Sequence, residues 1–169
     1  MSPEKASVIL EYVVANARRE MKTTASVLAA TPQASFDYKP ADKYMDGGTL
    51  AWHIAVTEVF FLEGVATGSF TGKPPSQPAD VVSGEQIAAW YVQEVTKVLD
   101  RCAALTPEEA AREVDFFGVF QNPACTFVTL ATQHTIHHRG QLSAYLRPMG
   151  GKVPAIYGPS GDENPFAKG

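Results

Sequence analysis

Residues 122–148 read NPACTFVTLATQHTIHHRGQLSAYLRP. Asn122-Pro123 supplies a capping residue followed by a proline suited to the first helical position, and Pro148 stops the stretch just before Gly150-Gly151. Between these signals Phe127, Leu130, His134, His138, Gln141 and Tyr145 recur at spacings of three and four, which places them on one face of a helix. His134 and His138 sit roughly 40° apart on that face, one turn above the other. They share the stripe of Leu130 and Tyr145, so the spacing predicts that both point inward. An inward imidazole needs a partner for each ring nitrogen.

Working outward, three more segments have helical form. Ser2-Pro3 opens the first, and Leu10, Val14, Ala17, Met21, Ala25 and Leu28 give its face before Thr31-Pro32 ends it. The second runs from about Thr49 to Ala66, after Gly47-Gly48, and is apolar around much of its circumference. The third follows a capping box, Ser83 to Gln86, with Ile87, Tyr91, Val95, Val98, Cys102 and Leu105 as its stripe. A second capping box, Thr106-Pro107-Glu108-Glu109, predicts a short helix at about 107–112. The sequence therefore predicts an all-α protein: a four-helix bundle over residues 1–147, with 148–169 as an irregular C-terminal tail packing on it. The connections near 31–48 and 67–82 are long enough to cross the bundle, so a simple up-and-down order is not required. Residues 113–120 favour extended chain but read as too isolated to found a sheet.

Composition narrows the function classes. A chain of 169 residues with 45% hydrophobic and 19% charged residues is one domain and not a disordered one. A formal charge of −4 argues against a nucleic-acid partner. The two cysteines, Cys102 and Cys125, are too few for a disulfide framework and match no zinc-knuckle spacing. No apolar run approaches the ~18–20 residues of a membrane span, and Met1–Lys5 lacks the basic-then-apolar order of a secretory signal. The expectation is a cytoplasmic protein with neither a membrane nor a nucleic-acid partner.

Three of the four histidines lie within residues 134–138. The fourth, His53, is in phase with Leu50, Thr57 and Phe60 on the second helix, on a face that can turn toward the fourth helix of a bundle. Three neutral imidazoles from two helices would leave open coordination positions and suit Zn²⁺ or Ni²⁺. The plainer alternative is a hydrogen-bonded core histidine at 53 and an unrelated pair at 134 and 138. His137 competes with His138 for a place beside His134. It is rotated about 100° from its neighbour toward the edge of the stripe, which favours His138 as ligand and a surface or supporting role for His137.

The run Gln133-His134-Thr135-Ile136-His137-His138-Arg139-Gly140-Gln141-Leu142 resembles the HxxxHRGQ signature of the DinB-like (damage-inducible, YfiT-like) superfamily. Tyr38-Lys39-Pro40, the stretch Thr49 to Ala55 around His53 with Glu58 downstream, and Arg147-Pro148-Met149-Gly150 resemble its other motifs in the same order, so the likeness spans about residues 8–150. The resemblance implies a four-helix bundle with a long crossover connection and a metal, Zn²⁺ or Ni²⁺, held by His53, His134 and His138. It also implies a homodimer. Relatives of this kind include transferases that use the low-molecular-weight thiols bacillithiol or mycothiol, and a mycothiol-dependent maleylpyruvate isomerase.

The leading expectation is a metal-dependent enzyme, a thiol S-transferase ahead of a hydrolase, acting on a small-molecule substrate. The alternatives are a non-catalytic metal- or ligand-binding stress-response protein and a dimerising scaffold. Around the ligands, Glu58 lies about 140° from His53 and reads as an intra-bundle partner, with Arg139 as one choice, rather than a general base. Gln141 is placed for a ligand contact, although packing or helix-end bonding is the preferred reading. Arg139 reads as a structural ion-pair residue, Trp52 and Tyr145 as core aromatics, and the two cysteines as buried and inert. Gly140 reads as a point of close helix approach. Asp37, Asp42 and Asp46 read as solvated loop carboxylates.

Overall fold

The computed structural model describes residues 1–167. Four long helices and one short one form where periodicity and caps place them: α1 (Pro3–Ala29), α2 (Gly47–Thr67), α3 (Gly84–Ala103), α4 (Pro107–Ala111) and α5 (Ala124–Leu146). Ser2 caps α1 with Pro3 at its first position, and both capping boxes close as expected, Ser83 with Gln86 and Thr106 with Glu109. Asp46 is not a free loop carboxylate. Its two oxygens accept from the Thr49 amide at 2.8 Å and the Thr49 hydroxyl at 2.9 Å, so it caps α2 and moves the helix start to Gly47.

The helices share one apolar core. α1 packs mainly on α3 and α5, and α2 packs mainly on the same two helices, so α1 and α2 stand on one diagonal and α3 and α5 on the other. The connections that cross a diagonal are residues 30–46 and 104–123, whereas 68–83 joins neighbours. The fold is all-α, as the periodicity predicts.

Three expectations need correcting. Residues 113–123 do form a sheet: β1 (Glu113–Phe116) pairs antiparallel with β2 (Phe120–Pro123), Val114 opposite Asn122 and Phe116 opposite Phe120. No further strand is needed because Val114 is buried and Phe116 stacks on Phe61 of α2 at 5.6 Å. Asn122 and Pro123 therefore belong to β2: Pro123, not Asn122, takes the position just before α5, no side chain caps the helix, and the Ala124 amide donates to the Arg112 carbonyl at 2.9 Å. Finally, α2 does have the length and apolar composition of a membrane span, but 61% of its apolar window is buried inside the protein, as in a core helix.

Beyond α5 the chain is irregular. Met149 is buried, Val153 and Ile156 pack against the core, and Arg147 pairs with Asp162 at 2.9 Å. Tyr157 reaches back to α1 and α5 (below), while Phe166 is 74% exposed. Residues 168 and 169 of the expected tail lie outside the described residues.

At the start of α3, Gly84 meets the end of α1 so closely that a Cβ would stand 2.5 Å from the Leu28 and Thr31 carbonyl oxygens. Backbone cannot yield there as a side chain can. Gly84→Ala is expected to lower stability by about 1–3 kcal/mol in urea unfolding, the range of a forced overpacking.

Candidate metal centre

α2 and α5 run antiparallel along their contact, since His53 lies against His138 and His134 while Phe61, further along α2, lies against His134, earlier on α5. The ring centroids of His53 are 4.6 Å from His138 and 5.1 Å from His134, and those of His134 and His138 are 4.4 Å apart. One nitrogen from each ring lies within 4.8 Å of the others. A tetrahedral ion with bonds of about 2.0–2.1 Å holds such nitrogens roughly 3.4 Å apart, so modest ring rotation closes the set. All three rings are half-buried.

Two of the three rings have a partner for one nitrogen on their own helix. Gln141 Oε1 is 2.6 Å from His138 Nδ1. An amide oxygen only accepts, so Nδ1 is the donor, and in the neutral ring this leaves the lone pair on Nε2. The Thr57 hydroxyl is 3.3 Å from His53 Nδ1. Two buried nitrogens, His53 Nε2 and His134 Nδ1, make no hydrogen bond. Buried polar atoms are rarely left so, and two within one cluster fit a group that takes lone pairs.

The electrostatics agree. Burial, then the charge of His138, lowers the pKa of His53. Burial, then His138, His53 and His137, lowers that of His134 to about 4. Both rings are neutral at pH 7, the form that binds metal.

Gln141 therefore does more than pack or finish the helix: it orients His138. His137 is exposed, with its ring 4.8 Å from that of His138, and stays outside the cluster. Glu58 turns to the opposite side of α2. It is buried and accepts a hydrogen bond of 2.5 Å from the Tyr91 hydroxyl of α3. Arg139 is buried and pairs with Glu20 of α1 at 2.8 Å rather than with Glu58, also donating to the Thr24 hydroxyl and to Tyr157 of the tail. Gly140 meets nothing within 4 Å, so no helix approaches it. Both cysteines are buried, and burial pushes the Cys102 thiol up to about 12. Sequence reasoning missed Thr57 as a partner of His53 and Phe61 as the ring against His134. The first is visible as an i,i+4 pair; the second needs the tertiary fold.

The family model of the DinB family matches residues 1–165. The chain belongs to the DinB family. Two curated proteins of Bacillus subtilis (strain 168) are similar to it. The uncharacterized protein YjoA is 28% identical over 117 residues, 68% of this chain and 74% of YjoA. The uncharacterized protein YrdA is 25% identical over 158 residues, 91% of each chain. The crystal structure of a DinB-like protein from Bacillus cereus ATCC 10987 superposes with a TM-score of 0.72 at 26% identity, covering 87% of this chain and 97% of that one. The crystal structure of YjoA superposes with a TM-score of 0.67 at 23% identity, over 82% and 92% of the respective chains, and shows the shared fold. In this DinB-family chain three histidines thus converge in a cluster compatible with a metal site.

Glu58 gives a pH test of the region behind the site. Burial pushes its carboxyl up from 4.5 to about 7, against the pull of Tyr91 and more distant groups. The folded value lies above the unfolded one, so the folded state holds the extra proton between them. The stabilising effect is complete below this window and is lost as pH rises through it. Relative to Glu58→Gln, the protein is expected to lose on the order of 3 kcal/mol between pH 4.5 and 8 in urea unfolding. A pH-independent difference between the two would contradict a protonated Glu58.

Proposed function

We propose that this DinB-family protein is a metal-dependent enzyme that uses zinc or nickel at His53, His134 and His138 to join a low-molecular-weight thiol to an electrophile. The observation that carries the reading is the pair of buried ring nitrogens, His53 Nε2 and His134 Nδ1, that bond to nothing in the described residues. An all-imidazole donor set suits zinc and nickel. Among the described residues no further His, Cys, Asp or Glu joins the three, which supports an open site with coordination positions for an incoming molecule.

A divalent ion in this position supplies Lewis acidity, bringing the pKa of a thiol or of water toward neutrality. The chain's own residues do the rest. Gln141 and Thr57 hold two of the rings by one nitrogen each, and Phe61 packs against His134. Neither cysteine serves as a nucleophile: burial raises both thiols, Cys102 to about 12. A reactive sulfur therefore has to come from outside the chain, which favours transfer of a small thiol over a mechanism through a protein thioester. Hydrolysis at the same centre is the second choice. The family resemblance extends the reading to a homodimer.

Purified protein is expected to carry close to one equivalent of metal per chain by elemental analysis, lost in His53→Ala and His138→Ala but kept in His137→Ala. Retention in both of the first two variants removes the three-histidine site. Gln141→Leu is expected to weaken metal affinity about 10–100-fold, the usual effect of removing a hydrogen bond to a ligating histidine. Metal-loaded protein is then assayed with bacillithiol, mycothiol and glutathione against alkyl and acyl electrophiles. Metal-dependent loss of free thiol supports the transferase. No turnover across the panel assigns the chain to metal binding without catalysis.

A further inference from the structure

Ring contacts lead from the imidazoles on α2 and α5 to the β1–β2 turn. The contacts run ring to ring. His134 lies 5.6 Å from Phe61, Phe61 stacks on Phe116 at 5.6 Å, and Phe116 meets Phe117 edge-on at 5.1 Å. Phe117 in turn lies parallel to Phe60, 8° between planes and 6.3 Å between centroids. Phe60 is seven residues from His53, two turns along the same face of α2.

Two hollows lie near these rings, one reaching Phe120 and the other Phe60. One hollow of about 520 Å³ is lined by Phe120 of β2 and by Leu130 and Gln133 of α5. Leu130 is one turn before His134. The other, also about 520 Å³, is lined by Phe60, Trp90 and Lys73. Trp90 packs on Trp52, the neighbour of His53, at 4.5 Å.

Phe117 has a backbone conformation that suits a different residue. Its φ is +53°, the only positive value outside glycine among the described residues, and Gly118 follows at +72°. Two successive positive φ values define a mirror-image turn, for which Asn-Gly is preferred and a bulky side chain is strained. Burial does not offset that strain, because Phe117 remains 53% exposed. A strained, exposed aromatic beside a candidate site is the kind of outlier that points to function.

We propose that Phe117, with Phe60, is a specificity-determining contact: the two rings form an aromatic face for a flat apolar group of the molecule whose donor end reaches the three histidines. The proposal rests on the metal reading above. The chemistry it selects is a metal-seeking head joined by a linker to an aromatic or similarly flat group. Lys73, Glu63 and Glu94 line the hollow beside Phe60 and make it polar there.

The test uses cobalt-substituted protein, whose visible spectrum reports ligands entering the metal shell. Hydroxamates bind open divalent sites without needing the thiol chemistry. Benzohydroxamate, phenylbutanohydroxamate and phenylhexanohydroxamate are each titrated against the alkyl hydroxamate of matching chain length. At least one phenyl-tipped ligand is expected to bind about three- to tenfold more tightly than its alkyl counterpart, the range of one aromatic pair. Phe117→Asn suits the turn, so its Tm is expected to equal or exceed that of the wild type while the phenyl preference falls to about one. Phe60→Leu is expected to reduce the same preference.

A preference that survives Phe117→Asn overturns the proposal, as does equal binding of phenyl and alkyl ligands by the wild type. A fall in Tm with an unchanged preference assigns the ring to hairpin packing instead. If cobalt loads and no hydroxamate enters its shell, the site is closed and Phe117 contacts no metal-bound ligand. If cobalt does not load at all, the metal reading itself fails, and the two failures are told apart by metal content.

Discussion

Three imidazoles share one space between α2 and α5, and that crowding constrains everything around them. Each ring is half-removed from water, and a proton on any one of them would be repelled by the others if they too were charged. His53 and His134 are therefore held neutral and present lone pairs. Two rings are oriented from within their own helix, His53 by Thr57 at i+4 and His138 by Gln141 at i+3. These local contacts survive whatever the rest of the chain does. His134 has no such partner: its Nδ1 is unbonded and its ring depends on packing against Phe61.

Orientation within a helix is useless unless the helix itself is turned correctly. Both ligand helices are pinned from the side away from the histidines by a buried polar contact. On α5, Arg139 follows His138 and points about 100° away, into the contact with Glu20 and Thr24 of α1. On α2, Glu58 is about 140° from His53 and is held by Tyr91 of α3. Rotating α5 by one residue would put Arg139 where His138 stands. Buried ion pairs are weak evidence of net stability. Here the layer's geometric effect is the clearer one, since it fixes the rotation of α2 and α5 together, with Tyr157 of the tail joining Arg139 and Glu20.

The long helices were legible because their period and caps are local properties of the chain. The same is true of the i,i+4 pair at 134 and 138. Spacing alone left His53 open, and it joined the set only through the likeness to the DinB family. What escaped were features that depend on distant residues or on competing uses of the same one. Asp46 looks like Asp37 and Asp42 until the chain bends to aim it at Thr49. Asn122-Pro123 has the form of a helix cap, but pairing with Val114 claims it for a strand. Gly140 suggested a close helix contact where the structure has open space, so absence of a side chain was taken for a spatial demand that is not there. The hairpin has only four residues per strand, only β1 alternates, and nothing in its own sequence says that phenylalanines far along the chain will hold it.

Those phenylalanines tie the hairpin to the cluster. A two-stranded sheet is marginal on its own, and this one is anchored by Phe116 against Phe61, Phe70 and Phe127. Phe70 reaches that position because Gly64 of α2 carries no side chain where the ring lies. Phe61 is shared: one contact holds the hairpin and another supports His134, the histidine without a hydrogen-bonding partner at Nδ1. The least tethered ring of the cluster and the outermost element of the fold thus rest on the same side chain. A displacement of the hairpin that moves Phe61 alters the packing of His134 directly, while His53 and His138 keep their own tethers.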